Sequence, residues 1–215
     1  MLAKSDLELM VGTKEQILWR GHPNKKCYIL EGIFNPFLPF ALIWLLFDSV
    51  FIAAFVHNPT NDGGFALFAI IFLLFHLMPV WIYLAGIAFI FRKYKHTEYI
   101  VTDKGVYVSG GLFAYTCQMK PYTEISRINI HRGIFDQQLK VGDVVFSGID
   151  DMSAPNVTVN GRSVSMGLSI SDIPDYQKVF ELVKKLQTDI FSDTMYPNDL
   201  RPKENHGYRT KYKGL

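Results

Sequence analysis

The chain has only two cysteines, Cys27 and Cys117, far apart and without metal-ligand spacing. They supply neither a disulfide framework nor a zinc site, so both read as reduced thiols. Neither sign of charge is in excess: 22 Lys and Arg against 20 Asp and Glu leave a net charge of +2 over 215 residues, which gives no strong signal for a polyanionic partner and none for nucleic acid. No P-loop, Gly-rich dinucleotide turn or nucleophile elbow is present, so the expectation is a chain with no cofactor, no bound metal and no enzymatic activity. The N-terminus is polar and the first apolar run starts only at residue 37, which does not fit a cleaved signal peptide, so that run is expected to be retained. The most consequential absence is charge within two long runs. Phe37 to Val56, 20 residues, carries Asp48 alone, and Phe65 to Phe91, 27 residues, carries no Asp, Glu, Lys or Arg.

About 20 apolar residues suffice to cross the hydrocarbon core as a helix. The sequence therefore predicts a two-helix transmembrane hairpin over 37–91, between an N-terminal segment 1–36 and a polar region from 92 onward. The connecting loop His57 to Gly64 has no Lys or Arg, whereas Arg20, Lys25 and Lys26 precede the first run and Arg92, Lys93 and Lys95 follow the second. That bias places both termini in the cytoplasm of an inner-membrane, multi-pass protein. Pro39 and Pro79 are expected to kink the spans, which membrane helices tolerate.

The remainder reads as a soluble unit. Lys14 to Pro23 suggests a short strand ending in a turn, with Trp19 packed on the soluble unit or at the membrane interface. Residues 97–170 read as strands: Glu98 to Thr102, Val106 to Val108, Ala114 to Met119, the stretch of Ile125, Ile128 and Ile130, Val141 to Phe146, and a hairpin turning at Asn160-Gly161. Residues 172–191 switch to helical period, with Ile173, Tyr176, Val179, Phe180, Val183, Leu186 and Ile190 on one face, and Ser171 or Asp172 as candidate cap. Such a helix must cover a sheet or the open end of a barrel. The tail 192–215 is polar and is expected to be loosely ordered.

The order of these motifs resembles the bacterial PH-domain membrane proteins of the YdbS-like family. The matching residues are Tyr99 to Val106, Gly110 to Phe113, Ile125 to Ile128, Gly133 to Phe135, Val141 to Val144 and Ile173 to Asp175, led by Glu15 to Pro23. The resemblance implies a membrane α-helical hairpin plus an α+β, mostly-β PH-like split barrel of about seven strands, spanning 92–191 and capped by one C-terminal helix. It implies no particular activity, because a fold does not fix a function. The loop from Gly148 to Val157 is longer and more acidic than the family pattern leads one to expect.

Asp48 and His76 are the ionisable residues inside the spans. At about 1.5 Å per residue, Asp48 lies roughly 12 Å and His76 roughly 16 Å from the outer ends of two antiparallel helices, at similar depth. A charge there costs on the order of 2.5 to 3.5 kcal/mol, which pairing would lower. The pair is open to two readings: glue between helices or subunits, or a proton, ion or substrate contact in a transport or export complex. Arg92, Lys93 and Lys95 are expected to meet anionic headgroups just inside the membrane, and Lys120, Arg127, Arg132 and Lys140 are candidates for a further headgroup patch. Twelve basic against eleven acidic residues between 92 and 191 argue against a strongly basic face. His57 and Asp62 match a His-x₄-Asp acyltransferase spacing, but turn chemistry explains that loop better. The reading is thus a non-enzymatic scaffold or lipid-sensing protein whose partners are membrane lipids and a second protein or copy of itself.

Overall fold

The structure, a computed structural model, describes residues 5–57, 63–148, 157–159, 162–164 and 167–195. Two antiparallel sheets form the polar unit. The first has the order β1-β2-β3-β4, built from Ile17–Gly21, Tyr99–Thr102, Gly105–Gly110 and Thr116–Pro121. The second has the order β5-β6-β9, from Arg127–His131, Gly142–Ser147 and Leu168–Ile173. A separate hairpin pairs β7 (Val157–Val159) with β8 (Arg162–Val164) across the predicted Asn-Gly turn, which itself lies outside the described residues. Four strands plus three and a C-terminal helix make the expected PH-like arrangement. One strand comes from elsewhere than 92–191: β1 belongs to the N-terminal segment and pairs with β2 through Trp19↔Val101 and Gly21↔Tyr99. The unit therefore closes around both ends of the apolar region.

Strand alternation decides which side chains meet. Tyr99, Val101 and Val106 face inward from the first sheet, and Val144, Phe146, Leu168 and Ile170 from the second. Helix α7 (Tyr176–Met195) supplies Val179, Val183 and Leu186 to the same core, with Tyr176, Phe180 and Ile190 at its margin. Trp19 also packs there, on the soluble unit. The opposite face of the first sheet is covered as well: Ile100 and Tyr107 meet Leu7 and Val11, on and just after the short helix α1 (Asp6–Met10).

The structure corrects the start of α7. Ser171, Asp172 and Ile173 complete strand β9 and do not cap the helix. The Asp175 carbonyl accepts the Val179 N–H at 3.0 Å and opens it instead. Two short helices lie where the sequence shows no helical period. α2 (Lys25–Ile33) is capped by Asn24, whose side chain accepts the N–H groups of Lys26 and Cys27 at 3.0 and 3.2 Å. α6 (Ile134–Leu139) starts where Asp136 reaches back to the Gly133 N–H at 2.7 Å. It ends on Lys140, which adopts the left-handed conformation at φ 57°.

The first apolar run forms α3 (Phe37–His57), which is long and apolar enough to cross a membrane. The second run is not one helix. α4 (Gly63–His76) and α5 (Met78–His96) meet at a bend of 51°, and only together have the length and composition of a span. Pro79 explains the break, since it has no N–H for the preceding turn and its ring crowds the carbonyl there. The Val80 N–H then bonds to Leu77 at 2.9 Å, one residue nearer than an α-helix requires, which releases the His76 carbonyl. The loop 58–62, the acidic loop 149–156 and the tail 196–215 lie outside the described residues.

Candidate functional site

The break in the second run creates the most concentrated polar site in the apolar helices. His76 is the last residue of α4, and its Nδ1 stands 2.7 Å from Asp48 Oδ1 on α3. A hydrogen bond therefore joins the two side chains. The carbonyl released at the bend is taken by the Trp44 indole N–H at 2.7 Å. Trp44 lies four residues before Asp48, one turn away on the same face of α3. Rings enclose the imidazole: Trp44 and Phe72 stack on it with centroids 5.1 Å away, and Phe47 lies at 6.1 Å. Asp48 is fully buried within a single chain, and its Oδ2 has no hydrogen-bond partner among the described residues. The geometry joins α3 to the α4–α5 bend through one side-chain pair and one backbone cap. Sequence reasoning placed Asp48 and His76 at one depth; it missed Trp44, although Trp44, Asp48 and Pro79 together carried a signal.

The basic residues do not gather into one patch. Arg127 opens β5 opposite Ser147, and Arg132 follows the other end of that strand, about 17 Å away at 3.3 Å per residue. Lys120 lies beside Gly148, with Arg127, while Lys140 precedes β6 at the end shared with Arg132. Arg132 is engaged internally: its Nε–H donates to the Val141 carbonyl at 3.0 Å, and its guanidinium lies 5.2 Å over the Tyr176 ring. Lys120 and Arg127 thus lie at one end of the strands, and Arg132 and Lys140 at the other. Arg92 donates through Nε to the Leu112 carbonyl at 3.0 Å, and Lys93 and Lys95 are exposed on the last turns of α5. His57 ends α3 and is exposed, while Asp62 lies outside the described residues.

Two groups of side chains have donor atoms within 4.8 Å of one another: Cys27, Glu31, Asp136 and Asp172, and His131, Asp136 and Asp143. Much of their bonding holds the fold together. The Cys27 thiol donates to Asp136 Oδ1 at 3.2 Å, and Asp143 Oδ1 accepts the Asp172 N–H at 2.8 Å, fixing Asp172 at φ 58°. Burial, with the nearby charge of Asp172 and the bond to Asp136, pushes the Cys27 thiol far above its usual range, so it is a protonated donor and a poor nucleophile.

Exposed apolar side chains of the PH-like unit lie beside the long apolar helices. Phe113, in the β3–β4 loop, is 79% exposed and meets Phe89 of α5 edge-on at 5.4 Å. Ile134, at the start of α6, is 84% exposed, and its neighbour Phe135 meets Phe34 at 5.5 Å, just before α3. Phe113 and Phe135 therefore lie against α5 and against the segment just before α3.

No curated protein and no solved structure matches the chain at a significant level. The sequence profile described as "Bacterial PH domain" matches residues 41–187, which include most of both apolar runs, every strand of the two sheets except β1, and most of α7. That match extends over more than half of the chain, so the protein belongs to the bacterial PH domain family.

Proposed function

We propose that this chain is a non-enzymatic membrane protein that holds its PH-like unit against the cytoplasmic face of the inner membrane. There the unit recruits a protein partner or senses lipid, in the manner of the YdbS-like branch its motif order resembles. Domains under this reading are the N-terminal segment 1–36, the hairpin 37–91, the PH-like unit 92–191 and the tail 192–215, with β1 lent by the first to the third. The observation that carries it is the continuity of exposed apolar surface. It runs along α3, α4 and α5 and onto Phe113 of the β3–β4 loop and Ile134 of α6, which would enter the interface beside the helices.

Arg92, Lys93 and Lys95 then stand at headgroup level, at about 1 kcal/mol of attraction each to an anionic surface. Arg132 and Lys140 belong to the membrane-proximal end, and Lys120 and Arg127 to the far end, where a partner protein has access. Tethering would raise the local concentration of that partner, so that a weak contact suffices. Asp48 and His76 serve as an internal fastener of the bent span; their pairing within one chain favours this over a transport role, for which two helices enclose no pathway.

The test is liposome flotation of the full chain after alkaline carbonate, together with a limited-proteolysis comparison of the wild type and Phe113→Asp/Ile134→Asp. Retention of both proteins in membranes, with faster cleavage of the β3–β4 loop in the variant, supports the reading. Release of the wild type by carbonate refutes it.

A further inference from the structure

α2, α5 and the near ends of the two sheets enclose a cavity of about 410 Å³, within the range of ligand sites. One wall is closed where α2 crosses α5: a Cβ at Gly32 would lie 2.3 Å from Ile90 Cδ1, so any other residue there makes the Ile90 side chain shift. Lys93, one turn beyond Ile90, lines the cavity together with Tyr28, Glu31, Ser109, Ser171 and Asp172. The charges are mixed and converge. Glu31 and the fully buried Asp172 bring carboxylate oxygens within 4.8 Å of each other, a separation one ammonium can bridge. Lys93 contributes the one Lys or Arg in the lining.

We infer that this cavity binds the headgroup of a zwitterionic aminophospholipid, with its ammonium toward Glu31 and Asp172 and its phosphate toward Lys93. A purely anionic headgroup would meet two carboxylates, and a lone ammonium would meet Lys93; only a ligand with both charges answers both. The level of the cavity supplies the second argument, and it rests on the membrane reading above. Phe91 ends the uncharged run, so Ile90 and Lys93 straddle the boundary between hydrocarbon and headgroups, where such a phosphate resides. The site also discriminates among zwitterions. A primary ammonium donates hydrogen bonds to two carboxylates, whereas the quaternary ammonium of choline donates none.

The experiment uses the full chain, washed in membranes with alkaline carbonate and then purified in a non-ionic detergent. The detergent is doped with equimolar phosphatidylethanolamine, phosphatidylglycerol and phosphatidylcholine, and retained lipid is counted by native mass spectrometry. Phosphatidylethanolamine should be retained roughly tenfold over the other two, and Glu31→Gln and Lys93→Gln should each lower its retention by about tenfold, the effect of one charge-assisted hydrogen bond. Lys93 is exposed, so its variant tests the site without touching the core, and circular dichroism checks that Glu31→Gln folds. Retention of phosphatidylglycerol equal to or above phosphatidylethanolamine, or no change in either folded variant, overturns the inference. Displacement of the lipid by soluble glycerophosphoethanolamine at equal concentration overturns its bilayer source. Release at the carbonate step instead overturns the anchored reading itself, so the two failures are distinguishable.

Discussion

Replacing Asp48 by Leu should cost the hairpin about 1 to 2 kcal/mol, and the source of that loss can be read from the structure. The substitution removes the carboxylate 2.7 Å from His76 Nδ1 and leaves the imidazole among Trp44, Phe47 and Phe72 without that partner. Interhelical polar contacts in membranes contribute about 0.6 to 2 kcal/mol, and an abandoned buried donor costs about 1 to 3 kcal/mol. The double variant Asp48→Leu/His76→Phe removes both polar groups and should lie within about 1 kcal/mol of wild type, since apolar replacement of a buried pair is often neutral. The single His76→Phe leaves the carboxylate buried alone and should be the least stable of the three. The assay is reversible unfolding in mixed micelles followed by tryptophan fluorescence, with Trp44 reporting directly because it stacks on the imidazole. A coupling energy near zero, with the two single effects simply adding, would refute the claim that the pair fastens the bend.

Other consequences follow from the same geometry. Trp44→Phe keeps the stacking but removes the donor to the His76 carbonyl, and should lower stability by about 1 kcal/mol in the same unfolding assay. Lys140→Gly relieves a left-handed residue at a helix C-terminus and should raise the unfolding midpoint by the equivalent of about 1 kcal/mol; a lowered midpoint would mean that the lysine side chain matters more than its backbone. Phe146→Ala empties the centre of the core between the sheets and α7 and should cost about 3 to 5 kcal/mol by urea titration. Burial, helped by the charge of Glu15, pushes the Tyr107 phenol up to about 12. As the folded value exceeds the unfolded one, its contribution is complete below pH 10 and is lost as pH climbs toward 12; Tyr107→Phe should flatten the stability profile in that window.

What the sequence conveyed depended on whether a signal was local or shared. The strands were legible because Tyr99 to Thr102 and Val141 to Phe146 are rich in β-branched and aromatic residues, and the Asn-Gly hairpin because its turn needs positive φ. α7 was legible from its period, but its cap was not. Ser171 and Asp172 are good capping residues, yet pairing of β9 with β6 held them in the sheet, with Asp172 pinned by Asp143. α2 went unseen because among its nine residues only Cys27 is buried, which leaves no apolar stripe; the Pro23-Asn24 start was the available clue. α6 is only six residues long, too short for a period. Separate apolar runs at 37–56 and 65–91 were evident, but the bend after His76 arises from Pro79 acting with a Trp44 cap supplied by another helix. The scatter of Lys120, Arg127, Arg132 and Lys140 was equally hidden, since strand length and direction, not spacing in sequence, separate them.

The central claim is that both apolar runs cross the bilayer and leave the PH-like unit on the cytoplasmic side. It is tested most directly by thiol labelling in intact cells with a membrane-impermeant maleimide. Single cysteines are introduced at Asn61 in the connecting loop and at Lys178 on the exposed face of α7, in a background with Cys27 and Cys117 replaced by alanine. The account predicts labelling at position 61 from outside and at position 178 only after lysis. Labelling of both positions from the same side would mean, because β1 pairs with β2, that neither apolar run crosses the bilayer, and would contradict the account.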